Sequence, residues 1–260
     1  MFRKKRDLTG KRILITGVSS GIGRAIALQL ADQNTTLLLT ARREELLSQL
    51  QAEVESRGSR AVVIAGDITD ASTRDRIERV AREEGLDILI NNAGIGGLGT
   101  FASADESRLR QIMEVNFIAP VELIRCLLPA LRDSPDGVIV NIGSVLGHFA
   151  VPKKSEYCAS KFAMHGFSDA LRMELATEGI DVLLVSPSTT SSQFFDAAMR
   201  SEGKPAANQN AMSPEEVARQ TVRCIENRRR EVILSAGGRL LVAANRLFPG
   251  WLSQLLQRFG

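Results

Sequence analysis

The sequence predicts an α/β protein: a doubly wound sheet of about seven parallel strands with helices on both faces, followed by an amphipathic helical tail. Two observations support this fold class. Short apolar runs alternate with longer amphipathic stretches, as strands alternate with helices in a parallel sheet. Glycine follows several of these runs, and such sheets bind ligands at the carboxyl ends of their strands. The length of 260 residues suits one large domain of this kind.

The composition is that of a soluble globular protein: 44% of the residues are hydrophobic and 24% are charged. The net charge of +3 is too small to indicate nucleic acid binding. Three cysteines far apart in the chain predict neither a disulfide framework nor a zinc site, and they fit a reducing compartment. No apolar run is long enough to span a membrane, and no signal peptide is recognised. We therefore expect a cytoplasmic protein.

The first strand and its turn form a dinucleotide-binding pattern. The apolar run Arg12–Thr16 leads into Gly17-Val18-Ser19-Ser20-Gly21-Ile22-Gly23, and an amphipathic helix follows to about Gln33. Glycines let the backbone approach a pyrophosphate, and a helix N-terminus offers free N–H groups and the positive end of its dipole. The spacing G-x-x-x-G-x-G differs from the commoner G-x-G-x-x-G. A purely structural turn is the alternative.

The end of the second strand indicates which cofactor binds. The strand Thr35–Ala41 is followed by Arg42 and Arg43, with no acid before Glu44. In Rossmann folds a carboxylate at this place binds the ribose 2′-hydroxyl of NAD, whereas an arginine accommodates the 2′-phosphate of NADP. The sequence therefore favours NADP(H), with Arg42 as the first candidate and Arg43 as the second. Alternatively, one or both arginines merely begin the helix 43–57.

Two further strands end in polar residues suited to the same cofactor. The strand Ala61–Ala65 is followed by Asp67, which is placed to accept from an adenine amine, and by a helix over 71–83. The strand Asp87–Ile90 ends in Asn91-Asn92-Ala93-Gly94, a tight turn that lets a ribose lie close. A simple helix entry is the alternative for Asp67.

A long helix is predicted from about Asp105 to Leu131, and it contains a proline. Pro120 has no N–H, so it cannot donate to the carbonyl of Asn116 four residues earlier. That carbonyl is available to a water molecule, which suggests a proton path. The alternative is a kink with no further role.

Tyr157, the only tyrosine of the chain, begins a helical pattern that runs to about Thr177. Lys161 lies one turn further on the same helix face, and a nearby ammonium lowers the pKa of a phenol. Such a phenol can serve as a general acid or base. The strand Val138–Ile142 brings Ser144 to the same edge of the sheet. A core tyrosine beside an unrelated lysine is the alternative.

Taken together, these motifs resemble the short-chain dehydrogenase/reductase (SDR) family, in the family's order from about Gly10 to Leu234. The matching motifs are Thr16-Gly17-x-x-x-Gly21-x-Gly23, Asn91-Asn92-Ala93-Gly94, Asn116, Ser144, Tyr157-x-x-x-Lys161 and Pro187. The resemblance implies one dinucleotide-binding and catalytic domain over 1–260, with a basic tail at 1–9, a Rossmann core at 10–236 and an apolar tail at 237–260.

The resemblance also implies the catalytic roles. Tyr157 would exchange a proton with the substrate oxygen, and Ser144 would hydrogen-bond the same oxygen. Lys161 would bind the nicotinamide ribose and lower the pKa of Tyr157, while the Asn116 carbonyl would hold a water that links Lys161 to solvent. The implied cofactor contacts are Gly17, Ser19, Ser20, Gly21, Ile22, Gly23, Arg42, Arg43, Asp67, Ile68, Asn91, Ala93, Gly94, Tyr157, Lys161, Pro187 and Thr189. Ser188 departs from the family's glycine and would be strained if the position required a positive φ.

The substrate side is less defined. The stretch 148–151 lies between Ser144 and Tyr157 and is expected to wall the pocket, with His148 as a substrate contact at most. No second histidine or cysteine supports a metal ion there, and we expect no metal site. His165 is interpreted as structural. The segment 193–210 is predicted to be a short helix and a lid.

The C-terminal stretch 238–259 contains two apolar amphipathic pieces broken at Pro249-Gly250, with arginines at intervals and the only tryptophan. Three interpretations stay open: a cap over the substrate pocket, an interface in a homodimer or homotetramer, and peripheral membrane contact through 239–260. Similar tails occur in family members that act on lipophilic substrates.

The favoured function is therefore an NADP(H)-dependent oxidoreductase that interconverts a carbonyl and a secondary alcohol, on a lipophilic substrate. One alternative is an NADP(H)-binding sensor or scaffold without turnover. Another is a membrane-peripheral lipid-binding protein.

Overall fold

A computed structural model describes residues 4–190, 199–200 and 211–257. Within these ranges, seven strands form one parallel sheet in the order β3-β2-β1-β4-β6-β7-β9, which confirms the predicted architecture. The strands are β1 (Arg12–Thr16), β2 (Thr36–Ala41), β3 (Arg60–Ala65), β4 (Ile88–Asn91), β5 (Gly97–Leu98), β6 (Val138–Ile142), β7 (Asp181–Ser186), β8 (Met199–Arg200) and β9 (Glu231–Ile233).

Nine α-helices lie in the described ranges, and six of them cover the two faces of the sheet. They are α1 (Gly21–Ala31), α2 (Glu44–Ser56), α3 (Ala71–Glu84), α4 (Glu106–Met113), α5 (Ala119–Arg132), α6 (Ser155–Leu175), α7 (Pro214–Glu226), α8 (Ala236–Leu247) and α9 (Pro249–Gln257). Successive side chains of a strand point to opposite faces. In β1, Ile13 and Ile15 pack with α1, α2 and α7, whereas Leu14 packs with α3, α5 and α6.

The predicted lid 193–210 lies outside the described residues, apart from Met199 and Arg200. These two residues form β8 instead of a helix, and β8 pairs in parallel with β5.

The single helix predicted over 105–131 is in fact interrupted. A π-helical turn, Glu114–Ile118, separates α4 from α5, and the Ala119 N–H donates to the Glu114 carbonyl five residues earlier. The turn lies just before Pro120, which has no N–H to continue the regular hydrogen-bond pattern. Such turns are frequent at functional sites, and this one contains Asn116.

The C-terminal tail forms two helices that join at Phe248, so the break falls one residue earlier than predicted and Pro249 begins α9. Proline suits the first position of a helix, where its missing N–H has no intrahelical partner. One face of the tail is packed, with Val242 and Leu252 almost fully buried. In the part of the chain that the structure describes, no helix has the length and hydropathy to cross a membrane.

Candidate active site

The carboxyl ends of the central strands open into one cavity of about 1410 Å³. This volume exceeds that of most small-molecule pockets, so a dinucleotide and a substrate fit together. The predicted site residues that line the cavity are Gly17, Ser19, Ser20, Gly21, Ile22, Arg42, Arg43, Asp67, Ile68, Ala93, Gly94, Ser144, Tyr157, Lys161, Pro187 and Thr189. Parallel strands explain this convergence, because their carboxyl ends share one edge.

The glycine-rich turn fits a pyrophosphate. Gly17 has a φ of +72°, and a Cβ at this position would lie 2.7 Å from the Cα of Ala93. Ser20 is the N-cap residue of α1, but its side chain makes no hydrogen bond to the helix. The first N–H groups of α1 therefore have no side-chain acceptor from the cap and can bind a phosphate.

Gly23 belongs to the same turn but does not line the cavity. A Cβ on Gly23 would collide with the side-chain amide of Asn92 and with the carbonyl oxygen of Gly17. The absence of a side chain on Gly23 thus lets α1 approach the Asn91–Gly94 turn, and a contact between Gly23 and the cofactor stays a prediction.

The two arginines after β2 lie at one end of the cavity. Arg43 donates from Nη2 to the hydroxyl oxygens of Ser19 and Ser20, at 2.8 and 3.2 Å. The Nη1 of Arg42 lies 3.8 Å from a carboxylate oxygen of Asp67, and the Arg42 side chain is 70% exposed. Two guanidinium groups and two hydroxyls thus surround one corner of the cavity, a set that suits a phosphate.

Within the Asn91–Gly94 turn, the two asparagine side chains lie in different surroundings. Asn91 is buried and donates to Asn141 in the neighbouring strand at 3.0 Å, and it does not line the cavity. Asn92, which was not a candidate, lines the cavity and donates to the carbonyls of Thr16 and Gly17 at 2.9 and 3.1 Å. The predicted cofactor contact of Asn91 stays a prediction, and the structure adds Asn92 as a residue of the cavity wall. The sequence could not distinguish the two asparagines, because burial in the sheet decides which side chain faces the cavity.

The phenol of Tyr157 lies at the base of the cavity and is hydrogen-bonded by Ser144. Burial raises the pKa of Tyr157 to about 12, and the Ser144 hydrogen bond only partly opposes this. The expectation that Lys161 lowers the pKa of Tyr157 is therefore wrong for the protein alone. The cause is the desolvation of the phenolate by burial, which the sequence did not reveal.

Lys161 is buried beside Tyr157, with its Nζ 5.8 Å from the centre of the phenol ring. Its Nζ donates to the carbonyl oxygen of Ile142 at 3.0 Å. Burial lowers the pKa of Lys161 to about 8, because few groups replace the water that an ammonium loses. Tyr157 and Lys161 thus lie on one face of α6, as their spacing predicted.

Asn116 supports this arrangement from behind the cavity wall. Its amide donates to the Ser160 hydroxyl at 3.0 Å and to the Ile95 carbonyl at 2.9 Å, and its side-chain oxygen accepts from the Ile95 N–H at 2.8 Å. Ser160 in turn donates to the Tyr157 carbonyl at 2.8 Å. The Asn116 side chain therefore connects the π-helical turn to α6 beside Tyr157.

Ser188, which stands where the family has glycine, is not strained. Among the described residues other than glycine, positive φ occurs at Asn34, Lys153 and Arg228, and not at Ser188. The loop is held by backbone hydrogen bonds, since the Pro187 carbonyl accepts from the Val145 N–H at 3.0 Å. A side chain is therefore compatible with this position.

The structure corrects the interpretation of His148. Phe149 and Val151 line the cavity as expected, but His148 does not, and its Nε2 lies 2.9 Å from the Ser186 hydroxyl. The ring of His165 is 4.3 Å away, so the premise that no second histidine lies near is wrong. Seventeen positions separate the two residues in the chain, and only the close packing of the Ser144 loop on α6 brings them together.

The sequence analysis also missed a buried ion pair next to Tyr157. Arg108 in α4 donates to Glu156 at 2.6 Å, and both side chains are almost fully buried. Charged residues with no local partner are expected on the surface, so the sequence carried no signal for this pair.

Comparison with known proteins adds to this geometry. The family described as short chain dehydrogenase matches residues 11–203. A ketoacyl reductase, HetN, of Nostoc sp. is 32% identical over 97% of this chain and 90% of its own length. A 3-ketodihydrosphingosine reductase of Bacteroides thetaiotaomicron is 35% identical over 71% of this chain and 65% of its own length.

Solved structures of short-chain dehydrogenases have the same fold. A short-chain dehydrogenase from Streptomyces avermitilis has a TM-score of 0.81 and 32% identity, and the match covers 92% of each chain. Two proteins from Burkholderia at 24% identity share the fold, with TM-scores of 0.83. The one from B. phymatum is in complex with NAD, over 93% of this chain and 96% of its own, and the one from B. cenocepacia with NADP, over 96% and 99%.

Proposed function

The chain belongs to the short chain dehydrogenase family and is an oxidoreductase of CH–OH groups that uses NAD or NADP, and we propose that it is an NADP(H)-dependent reductase of lipophilic ketones. The observation that carries this proposal is the union of Ser144, Tyr157 and Lys161 at the base of one cavity with an arginine-rich phosphate corner. The reverse reaction, oxidation of a secondary alcohol, uses the same groups.

In the proposed mechanism Tyr157 is the acid. Burial keeps its phenol protonated at neutral pH, so it can donate this proton to the carbonyl oxygen of the substrate. The Ser144 hydroxyl, which already hydrogen-bonds the phenol, orients the same oxygen. The nicotinamide cofactor supplies the hydride when it is bound.

Lys161 restores the proton in this proposal. Its ammonium lies on the cavity wall beside the phenol ring, and the lowered pKa of Lys161 lets it exchange protons near neutral pH. The Asn116 carbonyl, which Pro120 cannot satisfy, is proposed to hold a water that continues this path toward solvent. In this proposal the side chain of Asn116 positions α6, and its backbone carbonyl holds the water that passes protons on.

The preference for NADP(H) rests on the phosphate corner formed by Arg42, Arg43, Ser19 and Ser20. A 2′-phosphate there would bring two negative charges to two guanidinium groups. The carboxylate of Asp67 lies 3.8 Å from the Arg42 guanidinium, so this acid, which could accept from a ribose hydroxyl, is already next to a cation.

A lipophilic substrate is supported by the remaining wall of the cavity. The apolar side chains of this wall come from α4, the π-helical turn, the loop after Ser144 and the C-terminal tail: Leu109, Met113, Ile118, Val145, Leu146, Phe149, Val151, Leu241 and Leu256. Lys154 supplies a cation among them, and burial lowers its pKa. The names of two relatives, a ketoacyl reductase and a 3-ketodihydrosphingosine reductase, specify a keto group on an acyl chain and on a sphingoid base.

The tail is proposed to act as a cap of this pocket. Val242 packs in one cluster with Tyr157, Phe149 and Leu146, and Leu256 packs against the same cluster. For the inner face of the tail, this packing favours the interpretation as a cap over the substrate pocket. We therefore propose that the tail and the Rossmann core work as one unit.

The outer face of the tail supports the proposals of a homo-oligomer interface and of membrane contact. Four large apolar side chains on it are mostly exposed: Leu240, Leu247, Phe248 and Trp251. The variant Phe248→Ser/Trp251→Ser separates the two proposals. Light scattering would report a smaller assembly if the face joins subunits, and flotation with anionic vesicles would decrease if it contacts lipid.

The function is tested by NADPH oxidation with a panel of ketones of increasing chain length, with NADH as the comparison cofactor. We expect kcat/KM to rise with chain length and to be higher with NADPH, because the cavity wall is apolar and the corner is cationic. The variant Tyr157→Phe is expected to reduce kcat by about 10²- to 10⁴-fold while NADPH binding persists.

Two results would contradict the proposal. Undiminished turnover by Tyr157→Phe would exclude Tyr157 as the acid. NADPH binding without turnover on any ketone or aldehyde would instead favour the sensor or scaffold, and vesicle binding that needs residues 239–260 would favour a lipid-binding protein.

A further inference from the structure

Both histidines of the chain lie together with Glu231, and none of the three residues lines the cavity. One potential ligand atom from each of the three residues falls within 4.8 Å of the other two. The Nδ1 of His148 is 3.7 Å from the carboxylate of Glu231, and the Nε2 of His165 is 3.9 Å from it. Among the described residues, this is the group of histidine, cysteine and acidic side chains with metal-ligand spacing.

His148 carries the first argument for a ligand. Its side chain is 2% exposed, and its Nδ1 makes no hydrogen bond in the structure. A buried nitrogen without a partner is costly, and native proteins rarely leave one. This atom points at the group formed by His165 and Glu231, so an occupant of that space would satisfy it.

The outer contacts of the two rings carry the second argument. The Nδ1 of His165 lies 2.9 Å from the Gly147 carbonyl, which can only accept, so this nitrogen is the donor and Nε2 has the lone pair in the neutral ring, the form that binds metals. The Nε2 of His148 lies 2.9 Å from the Ser186 hydroxyl, which leaves Nδ1 as the inner atom. Histidines that bind metals are oriented in this way, through a hydrogen bond from the outer nitrogen.

We propose that His148 Nδ1, His165 Nε2 and a carboxylate oxygen of Glu231 bind a Zn²⁺ ion, a site that is distinct from the catalytic cavity. Two imidazoles and one carboxylate are ligands that zinc accepts, with Zn–N near 2.0–2.1 Å and tetrahedral geometry. Neighbouring ligands of such a site are about 3.3 Å apart, so the three atoms need to approach by less than about 1.5 Å.

The surroundings supply the rest of a zinc site. Asp169, on the same helix as His165, has a carboxylate oxygen 3.5 Å from Nε2 but does not belong to the group of ligand atoms within 4.8 Å of one another, so we assign the fourth position to a water molecule. His165 and Glu231 are partly exposed, which gives the ion a path from solvent. The exposed Arg246 lies 4.0 Å from Glu231 and is the competing cation, while Arg172 pairs with the other oxygen of Asp169.

The proposed ion would join three elements that shape the active site. His148 follows Ser144 in its loop, His165 lies one turn beyond Lys161 on α6, and Glu231 belongs to the edge strand β9 that precedes the tail. Asn245 of α8 also donates to the His148 carbonyl, at 3.1 Å. The ion would therefore stabilise the catalytic loop against the catalytic helix without touching the substrate.

The test is direct zinc binding by the full chain, after treatment with a chelator and dialysis. Isothermal titration with Zn²⁺ is expected to give one equivalent per chain, with a rise in Tm of about 5 °C at saturating metal. Co²⁺ is expected to give the visible bands of a tetrahedral site without the sulfur charge-transfer band that a cysteine ligand would produce.

Two variants of partly exposed residues, His165→Ala and Glu231→Gln, are each expected to weaken Zn²⁺ binding by at least about tenfold, with the fold checked by circular dichroism. Glu215→Gln, an exposed acid on α7, is the matched control and should bind as the wild type does. The proposal is overturned if the wild type shows no saturable binding, if both variants bind as tightly as the wild type, or if Co²⁺ reports a sulfur ligand.

Discussion

The guanidinium of Arg108 donates to the carboxylate of Glu156 at 2.6 Å inside the protein, and Glu156 is the residue that precedes Tyr157. The two side chains are 4% and 3% exposed. The hydroxyl of Ser155 donates to the other carboxylate oxygen at 2.9 Å. Despite the burial of Glu156, these hydrogen bonds hold the pKa of its carboxyl below the ordinary value. The pair thus fixes α4 to the first turn of α6, where Tyr157 lies.

Removing one member of this pair should destabilise the protein strongly. Glu156→Gln or Arg108→Met leaves an uncompensated buried charge, and the expected loss in the free energy of unfolding is about 3–5 kcal/mol. The double variant Arg108→Met/Glu156→Met removes both charges and should recover much of that loss. Denaturant unfolding monitored by circular dichroism measures all three.

The control for this prediction is the exposed pair that Arg110 forms with Glu106, four residues apart on the same helix. Glu106→Gln should change stability by no more than about 0.5 kcal/mol, because solvent screens this pair. Equal effects of Glu156→Gln and Glu106→Gln would show that burial does not govern the energy of the Arg108 pair.

The raised pKa of Tyr157 can be measured directly, because the chain has one tyrosine and any tyrosinate signal comes from it. In an ultraviolet titration of the folded protein, we expect little tyrosinate through pH 10, because burial raises the pKa of Tyr157 to about 12. The same protein unfolded in guanidinium should ionise near the ordinary value of 10.0.

Half-ionisation of the folded protein at or below pH 10 would contradict this prediction. It would restore the expectation from the sequence, in which Lys161 lowers the pKa of Tyr157. Repeating the titration with saturating NADP⁺ measures how far the bound cofactor changes the balance between burial and charge.

Cofactor selectivity should depend on the phosphate corner. Arg43→Ala removes a guanidinium that contacts Ser19 and Ser20, and Arg42→Ala removes its neighbour. A hydrogen bond to a charged group contributes about 1.5–3 kcal/mol, so each change should lower kcat/KM for NADPH by about tenfold to a hundredfold. The value for NADH should change little, because NADH has no 2′-phosphate.

Arg57→Ala is the matched control for the phosphate corner, since Arg57 follows the far end of the same helix and pairs with Asp32 on the surface. It should leave both cofactors unaffected. An equal loss with NADPH and NADH in the Arg42 and Arg43 variants would remove the support for NADP(H) preference.

The strands of the sheet and most residues of the phosphate corner could be predicted from local sequence. Apolar runs such as Ile13–Ile15 specify buried strands, and the topology of a parallel sheet then brings their carboxyl ends to one edge. Tyr157 and Lys161 share a helix face because of their spacing alone. Here the chain encodes the site through short-range pattern and a common architecture.

The remaining features depend on contacts between distant segments. Arg108 and Glu156 are 48 positions apart, and their charges suggested surface positions. Asn91 and Asn92 are chemically identical, so only the sheet determines which one faces the cavity. The sign of the pKa shift of Tyr157 depends on how deeply α6 is buried, a quantity that no local pattern carries.

Lys161 should be required for activity while it lowers stability. Burial lowers its pKa from the ordinary 10.5 to about 8, which corresponds to a cost of about 3 kcal/mol when the ammonium is charged. Lys161→Met removes this cost and also the hydrogen bond to the Ile142 carbonyl, which contributes about 1 kcal/mol. We therefore expect the variant to be about 1–3 kcal/mol more stable at pH 7, and inactive.

The pH dependence identifies the cause of this gain. Below about pH 8, Lys161 is charged in both the folded and the unfolded protein, so the whole cost is present and the gain of Lys161→Met is largest. Between about pH 8 and 10.5 the unfolded chain binds more protons than the folded one, so the wild type gains stability with rising pH and the difference between the two proteins shrinks. Urea unfolding at pH 7, 8, 9 and 9.5 measures this, with Lys11→Met, a substitution of a partly exposed lysine, as the control that should show no such trend. A gain that is independent of pH would mean that better packing by methionine, and not the buried charge, stabilises the variant.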